Sequence, residues 1–290
     1  MAKYRLLRER LGVDAVLPPE AIVEAPAADW DTLRLVHTAD YLEAVRAGTL
    51  TREAQRRIGF PWSPGMVERS RRSVGATIAA ARHALQDPSA TAANLAGGTH
   101  HAFSDRGEGF CVFNDVAVAT RLLRSEGVVG RVAVIDCDVH QGNGTAAIFR
   151  DDPAVFTFSM HGRNNYPFRK ETSDLDVEWP DGTGDEEYLP ALEAHVARVL
   201  RSHRPDVVFY LAGADPYEGD RWGRLKLTID GLRQRDAIVF DACEAHRVPV
   251  TAVMAGGYAR DVDAIVTIHA NTIRTAAASA VRRAAPRANP

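Results

Sequence analysis

Hydrophobic residues along the chain recur in two alternating patterns. Short, almost uninterrupted apolar runs are typical of strands that are buried on both faces of a parallel sheet, and longer stretches with one apolar face are typical of helices. We predict strands over Thr91–Ala96, Arg131–Ile135, Ala154–Ser159, Asp206–Ala212 and Val248–Met254. We predict helices over Pro64–Leu85, Asn114–Glu126, Glu186–His203 and Asp230–His246.

The order of these elements predicts the fold class. Strands that alternate with helices favour right-handed crossovers, which place the helices on both faces of an open sheet. We therefore expect an α/β protein with three layers, in which a mostly parallel central sheet lies between helices. A single domain over residues 1–290 fits the length of the chain. Residues 280–290 are expected to form a frayed tail.

Composition and charge exclude several classes of protein. Apolar residues make up 46% of the chain, which allows a sizeable core, and the net charge of −3 lacks the basic character of a direct nucleic-acid binder. Cysteines 111, 137 and 243 are too widely spaced for a thiolate metal site or a disulfide scaffold. We find no apolar run long enough for a membrane span and no signal peptide at the start, so we expect a cytoplasmic protein without a membrane partner.

Polar or glycine-rich clusters follow four of the predicted strands. They contain Gly97 to His101, Asp136 to His140, Gly213 to Asp215, and Gly256 to Tyr258. Because the carboxyl ends of parallel strands form the ligand crevice of an open α/β sheet, these distant clusters can converge on one pocket.

The cluster after the second strand predicts a metal site. If the strand continues through Asp136, Asp138 and His140, their side chains point to one face, where neighbouring carboxylates need a compensating cation. Three protein ligands and an open position are typical of catalytic zinc. Asp138, His140 and Asp215 are the candidate ligands, and Asp136 would orient a neighbour or hold a monovalent cation. The alternative is a set of solvated loop acids with a turn at Asp215.

The tandem histidines His100 and His101 are candidates for proton transfer, because an imidazole near a dication can stay neutral at pH 7. Asp136 and Asn143 lie in a segment that could orient one imidazole each. A neutral amide does not favour a charged imidazole, so His101, if paired with Asn143, would be the better general base. The alternative for these histidines is an exposed or metal-binding pair.

Tyr258 follows two glycines at the last strand end and could donate a hydrogen bond to a reacting carbonyl oxygen. The alternative for Tyr258 is an aromatic side chain that packs over the sheet edge.

Several segments, in the right order, resemble the motifs of the histone deacetylase family, which shares the arginase/deacetylase fold. They are His37–Leu42, Gly97–Phe103, Gly109–Asp115, Asp136–Gly144, Gly213–Asp215 and Gly256–Tyr258. Gln141 and Asn143 stand where many members have His and Asp, and Ala255 replaces the first glycine of a Gly-Gly-Gly-Tyr run. With the segments 57–62 and 161–170, these departures look most like the class IV branch and its bacterial relatives.

The resemblance implies a role for each matching residue. Zinc would be held by Asp138, His140 and Asp215, and a potassium ion by Asp136 and Ser159 together with backbone oxygens. His101 would act as general base and acid, His100 as its electrostatic partner, and Tyr258 as the oxyanion donor. The substrate channel would be formed by Gly109, Phe110 and Tyr166, with the aromatic rings of Phe110 and Tyr166 on opposite walls.

We therefore expect a zinc-dependent amidohydrolase that removes an acyl group, acetyl above all, from an acylated lysine side chain of a protein or peptide. Alternatives within the fold are a deacetylase of acetylpolyamines or other small amides, a long-chain lysine deacylase, and an arginase-like binuclear manganese enzyme. A binding module that uses the metal pocket without turnover is the non-enzymatic alternative. The sequence leaves the oligomeric state open.

Overall fold

A computed structural model describes residues 2–87 and 91–284, without the side chains of residues 283 and 284. The strands are β1 (Thr91–Asn94), β2 (Val132–Asp136), β3 (Val155–Gly162), β4 (Leu175–Trp179), β5 (Val207–Leu211) and β6 (Val250–Val253). The α-helices are α1 (Ala2–Val13), α2 (Trp30–Arg34), α3 (Ala39–Ala47), α4 (Arg52–Ile58), α5 (Pro64–Gln86), α6 (Asp115–Ser125), α7 (Asn143–Phe149), α8 (Asp185–His203), α9 (Ile229–His246) and α10 (Val262–Ala284).

The strands pair in the order β1-β6-β5-β2-β3-β4, and every pair is parallel. In the register of the central strands, Asp136 lies opposite Leu211 of β5 and opposite Ser159 of β3. The loops that follow β2 and β5 therefore leave the sheet side by side. The expectation of a mostly parallel sheet is confirmed.

Alternate residues of each central strand enter two different cores, which makes the fold three-layered. Val132 and Val134 of β2 pack with side chains of α5 and α6, whereas Ala133 and Ile135 pack with side chains of α8 and α9. Because successive side chains of a strand point to opposite faces, an unbroken apolar run fills both layers at once. The predicted arrangement of helices on both faces is confirmed.

All predicted strands and helices are present, with ends that shift by a few residues. Asn114 caps α6 as expected, since its side chain accepts a hydrogen bond of 3.0 Å from the backbone of Ala117. Of the predicted tail, residues 280–284 belong to α10, and residues 285–290 lie outside the described part of the chain. No helix in the described ranges is long and apolar enough to cross a membrane.

The hydrophobic pattern missed β4 and several helices. β4 is an edge strand that is only partly buried, and acidic residues alternate with its apolar ones, so it lacks the continuous run of its neighbours. Helices α2 and α4 have 5 and 7 residues, too few for a periodic apolar face to stand out. In α1 only Leu7 and Leu11 are buried, which leaves a largely polar sequence.

A fully buried arginine of α9 joins the ends of β2 and β5. Arg235 is 0% exposed, and its guanidinium donates hydrogen bonds to the backbone oxygens of Gly213 (2.6 Å) and Cys137 (3.3 Å). Its charge is balanced by Asp236, 2.7 Å away, which also accepts hydrogen bonds from Tyr210 and Thr272. The guanidinium of Arg235 thus holds the loops after β2 and β5 in place from the side of α9.

Arg235→Ala should destabilise the protein by roughly 3–5 kcal/mol, because it leaves Asp236 as a buried, unpaired charge. Arg233→Ala on the same helix is the matched control: Arg233 pairs with Asp230 at the surface, so its loss should leave the free energy of unfolding close to that of the wild type. Urea unfolding of both variants measures the difference. Equal, small losses would contradict a structural role for Arg235.

Candidate active site

Four segments that follow strands meet at the carboxyl edge of the sheet. Asp138 and His140 follow β2, Asp215 follows β5, and Tyr258 follows β6, while the tandem histidines come after β1. The side chains that the sequence analysis selected from distant segments are therefore brought together by the parallel sheet.

The three expected metal ligands form one buried group. Single ligand atoms of Asp138, His140 and Asp215 lie within 4.8 Å of one another. Nδ1 of His140 is 2.9 Å from Oδ1 of Asp138 and 3.3 Å from Oδ2 of Asp215. The latter contact is an ion pair without hydrogen-bond geometry, and Asp215 Oδ2 is a buried oxygen with no hydrogen-bond donor among the described residues. An oxygen in this position is suited to a metal ion.

A turn of the backbone brings these ligands together, and the strand does not continue through His140, which was the condition for the three side chains to share one face. β2 ends at Asp136, and the next residues form bends. Oδ1 of Asp138 accepts a hydrogen bond of 2.9 Å from the backbone N–H of His140, which closes the turn, and Oδ2 accepts one of 2.7 Å from Gly256. Only glycine fits at position 256, since a Cβ there would lie 1.8 Å from Asp215 Oδ2.

The charges of this group also fit a cation. Burial and the neighbouring carboxylate of Asp138 raise the pKa of Asp215 to about 6. Burial alone would lower the pKa of His140, but its contacts with both carboxylates outweigh burial and raise the pKa to about 10. The imidazolium thus supplies the positive charge that two buried carboxylates need, and a divalent ion bound to the same three atoms would replace its proton.

Each tandem histidine has a different partner on Nδ1. His100 Nδ1 lies 2.6 Å from Oδ2 of Asp136, and His101 Nδ1 lies 2.7 Å from Oδ1 of Asn143. The two rings are adjacent, with centroids 4.1 Å apart, and both are buried. Asn143 is thus the partner of His101, the pairing under which the sequence favoured His101 as the general base.

The partners divide the charge between the two imidazoles. Burial would lower the pKa of His100, but Asp136 and Asp138 outweigh it and raise the pKa to about 9. Burial, together with the imidazoles of His100 and His140, holds the pKa of His101 well below its usual value. At pH 7 these pKa shifts favour a charged His100 and a neutral His101.

Glu108 is a site residue that the sequence analysis did not find. It is 8% exposed, and its Oε1 accepts hydrogen bonds from Asn143 Nδ2 (2.7 Å) and from the hydroxyl of Tyr166 (3.0 Å). The signal available in the sequence was an acidic residue directly before Gly109-Phe110, which by itself is compatible with an exposed loop.

The aromatic ring stacked on Phe110 was not among the predicted channel residues, and Tyr166 contacts a histidine of the site. Tyr166 packs edge-on against His101 at a centroid distance of 5.0 Å. The ring stacked on Phe110 is Trp222, 5.6 Å away at an interplanar angle of 6°. Trp222 follows Asp215 in the chain, and nothing in its local sequence singled it out. Gly109 has a φ of +56°, and a Cβ there would lie 2.5 Å from the ring of His101, which explains a glycine at this position.

Tyr258 lies beside the metal ligands and is held through its backbone. Its N–H donates a hydrogen bond of 2.6 Å to Asp220, and its ring centroid is 6.4 Å from His140 and 4.4 Å from Trp222. Burial and the nearby Asp215 and Asp138 raise the pKa of the phenol well above its usual value. The hydroxyl therefore keeps its proton and can act as a hydrogen-bond donor.

A pocket of ≈ 660 Å³ adjoins these residues. Its lining includes Asp138, His140, His100, His101, Phe110 and Tyr258, together with Lys3, Tyr4 and Arg69. Two of the three candidate metal ligands, both tandem histidines and Tyr258 thus border a common space.

The expected monovalent-cation residues, Asp136 and Ser159, are paired across β2 and β3. Asp136 already accepts hydrogen bonds through both oxygens, from His100 and from the backbone of Asp138. Ser159 Oγ lies 2.9 Å from Nδ1 of the buried His161.

His37 fixes the loop that carries Phe110 and the N-terminus of α6. Its Nδ1 lies 3.0 Å from the backbone oxygen of Phe103, so Nδ1 carries the proton, and its Nε2 accepts a hydrogen bond of 3.1 Å from the backbone N–H of Asn114. Only a neutral imidazole can make both contacts. Burial lowers the pKa of His37 to about 4.

The chain is similar in sequence to known proteins. The family model of the histone deacetylase domain matches residues 1–273. An uncharacterized protein of Picosynechococcus sp. is 47% identical, with 95% of this chain and 91% of that protein covered. The histone deacetylase-like amidohydrolase of Pseudomonas aeruginosa is 35% identical over 80% of this chain and 64% of its own length. The chain thus spans less than two thirds of that relative.

Solved structures agree with these matches. An HDAC homolog from Aquifex aeolicus superimposes with a TM-score of 0.80 at 25% identity, and the match covers 94% of this chain and 77% of that chain. The resemblance that the motifs carried is confirmed. Together the matches support a hydrolase that acts on amide bonds.

Asp215→Ala should abolish metal binding, because it removes one of three ligands. In the wild type, a chelator should lower the free energy of unfolding by roughly 4 kcal/mol when the metal was present at about 1,000 times its Kd. The variant should contain no stoichiometric metal by elemental analysis, and a chelator should leave its unfolding unchanged. Asp151→Ala, at an exposed turn, is the control that should behave as the wild type. Full metal occupancy in Asp215→Ala would show that the ligand is wrongly assigned.

His37 should make the protein less stable as the pH falls from about 6.5 to about 4. Over that window the unfolded chain binds a proton at His37 that the native chain does not, so each pH unit costs up to ~1.4 kcal/mol. His37→Gln removes this titration, so the loss of unfolding free energy between pH 7 and pH 5 should be about 2 kcal/mol smaller in the variant. Parallel urea titrations at the two pH values measure the change, and identical pH slopes would refute it.

Proposed function

The chain belongs to the histone deacetylase family, and from that premise we propose that it is a zinc-dependent amidohydrolase that removes an acyl group from an acylated lysine side chain. The observation that carries the proposal is the meeting of three buried candidate ligands with a neutral and a charged imidazole, beside a cavity that two of these ligands and both imidazoles line. Acetyl is the acyl group that we expect first, with the lysine in a protein or peptide.

A divalent metal held by Asp138, His140 and Asp215 would supply a Lewis acid for the scissile carbonyl and a lowered pKa for water. Zinc suits a set of one imidazole nitrogen and two carboxylate oxygens. Potassium is proposed as the second cation, with Asp136 and Ser159 as the side chains that would hold it.

The protein's own residues would handle the protons. His101 presents an unprotonated Nε2 because its Nδ1 faces the acceptor oxygen of Asn143, so it can take a proton from the attacking water and return it to the leaving amine. His100, held as a cation by Asp136, would stabilise negative charge next to the reacting carbonyl. Tyr258 would donate its hydroxyl proton to the developing oxyanion as a hydrogen bond.

The large cavity favours a second candidate within the same chemistry. A volume of ≈ 660 Å³ is typical of a pocket for a drug-sized ligand, which is far more than an acetyl group fills. A long-chain acyl-lysine is therefore the alternative substrate that this structure supports.

A substrate panel tests the proposal: acetyl-lysine peptide, long-acyl-lysine peptide and acetylpolyamine, each with and without a chelator. We expect release of the acyl group from the acetyl-lysine peptide, loss of that activity with chelator, and its return with added zinc. Faster cleavage of the long-acyl peptide or the polyamine would move the proposal to that substrate. Metal binding without turnover of any amide would support the binding-module alternative.

Tyr258→Phe should lower turnover by roughly 10²–10³-fold, because it removes one oxyanion donor and keeps the ring. Binding of metal should be unchanged. Tyr217→Phe is the matched control, since Tyr217 lies outside the ligand and histidine cluster. Turnover of Tyr258→Phe that equals the control would contradict the role of the phenol.

A further inference from the structure

We propose that Glu108 is a positioning residue for the reaction, which fixes the amide of Asn143 and thereby the tautomer of His101. The inference rests on the proposed function, because it assigns a purpose to the proton on His101. The hydrogen bond of Glu108 toward the site goes to Asn143, and Asn143 contacts His101. Glu108 therefore acts on His101 through Asn143.

The contacts form a short chain of buried side chains. Tyr166 and Asn143 both donate hydrogen bonds to Oε1 of Glu108, at 3.0 Å and 2.7 Å, and Asn143 in turn meets His101 Nδ1 at 2.7 Å. Glu108 and Asn143 are 8% and 3% exposed. The other carboxylate oxygen, Oε2, lies 3.6 Å from Nε of Arg106, which compensates part of the charge.

The polarity of this chain follows from the carboxylate alone. An ionised carboxylate only accepts hydrogen bonds, so Asn143 must turn its NH₂ group toward Glu108 and its oxygen toward His101. That oxygen is also only an acceptor, so His101 must carry its proton on Nδ1. The lone pair is then left on Nε2, the nitrogen that a general base at the cavity needs.

An amide at position 143 requires such help. An aspartate there, as in many members of the family, would accept from His101 in every orientation. An asparagine can present either its oxygen or its NH₂ group, and the second orientation would place the proton on Nε2 and block the base. Glu108 allows only the orientation in which the Asn143 oxygen faces His101. The negative charge that orients the imidazole then lies on Glu108, one residue further from His101 than a carboxylate at position 143 would be.

The competing explanation is that Glu108 only braces the loop. Its backbone oxygen accepts a hydrogen bond of 2.9 Å from Cys111, and its carboxylate pairs with Arg106. A brace would be replaced equally well by any side chain of similar shape, and its loss would act on folding. If Glu108 instead orients the amide of Asn143, the side chain at position 108 must be one that cannot donate a hydrogen bond to Asn143.

Glu108→Gln separates these explanations, because glutamine keeps the shape but can donate to Asn143 and so permits both amide orientations. We expect kcat for the acyl-lysine peptide to fall between about twofold, if the two orientations are equally populated, and about tenfold, if the unproductive one is favoured by one net hydrogen bond, while KM and the midpoint of thermal unfolding stay near the wild-type values. Glu43→Gln, an exposed carboxylate of α3, is the matched control and should change nothing.

The double variant Glu108→Gln/Asn143→Asp provides the rescue. It moves the acceptor-only group to position 143, where it accepts from both His101 and the new amide, so Nδ1 is again the protonated nitrogen. Because a carboxylate also raises the pKa of His101, kcat should return to within about threefold of the wild type on the high-pH plateau of its pH profile. A kcat of Glu108→Gln that matches the wild type, or a double variant no better than the single one, would overturn the inference.

A spectroscopic measurement keeps this test separate from the proposed function. The ¹⁵N shifts of His101, assigned by comparison with His101→Gln, report which ring nitrogen carries the proton without any turnover. We expect protonated Nδ1 in the wild type and the double variant, and a mixture in Glu108→Gln. If the wild type hydrolyses no amide but the tautomers follow this pattern, the proposed function fails and the positioning role stands; the same tautomer in all three proteins overturns the positioning role.

Discussion

Two buried carboxylates that approach one another are the constraint around which this protein is arranged. Asp138 and Asp215 stand at the ends of neighbouring strands, where their repulsion would separate the loops unless other groups hold them. Backbone N–H groups of Gly256, His140 and Val139 donate to their oxygens. Arg235 holds the backbone of both loops from the side of α9, through hydrogen bonds to Cys137 and Gly213.

The same negative charge explains why adjacent imidazoles can differ so much. The carboxylate of Asp136 stabilises the charged form of His100, and the positive charge of His100 then disfavours a second charge on His101. An amide partner on His101 adds no negative charge that would offset this repulsion. Two chemically identical side chains thus differ in charge because their Nδ1 atoms face different residues, a carboxylate for His100 and an amide for His101.

The three layers and the position of the candidate site could be predicted from the sequence, whereas several contacts around the site could not. Continuous apolar runs and strand-end clusters were sufficient for the parallel sheet and for the convergence of Asp138, His140 and Asp215, because the topology leaves one edge for all of them. β4 was not predicted because an edge strand is only partly buried and needs no continuous run of apolar residues. Glu108 and Trp222 escaped for a different reason: their contacts join loops 35 and 57 residues away, for example Glu108 with Asn143 and Trp222 with Asn165, and no local pattern encodes such pairs.

The division between strand ends and loops also bears on how specificity could change in this fold. The candidate ligands and the tandem histidines stand where the backbone is fixed by the sheet, by glycines without room for a Cβ, and by Arg235. Phe110 and Trp222 stand on loops, and Phe110 keeps a positive φ of +65° that few side chains adopt, which ties its direction to the backbone. Trp222 is 44% exposed and packs on the rings of both Phe110 and Tyr258. Substitution at position 222 would therefore change the packing of Tyr258 as well as that of Phe110, and a change at Gly109 would displace His101 and Phe110 together.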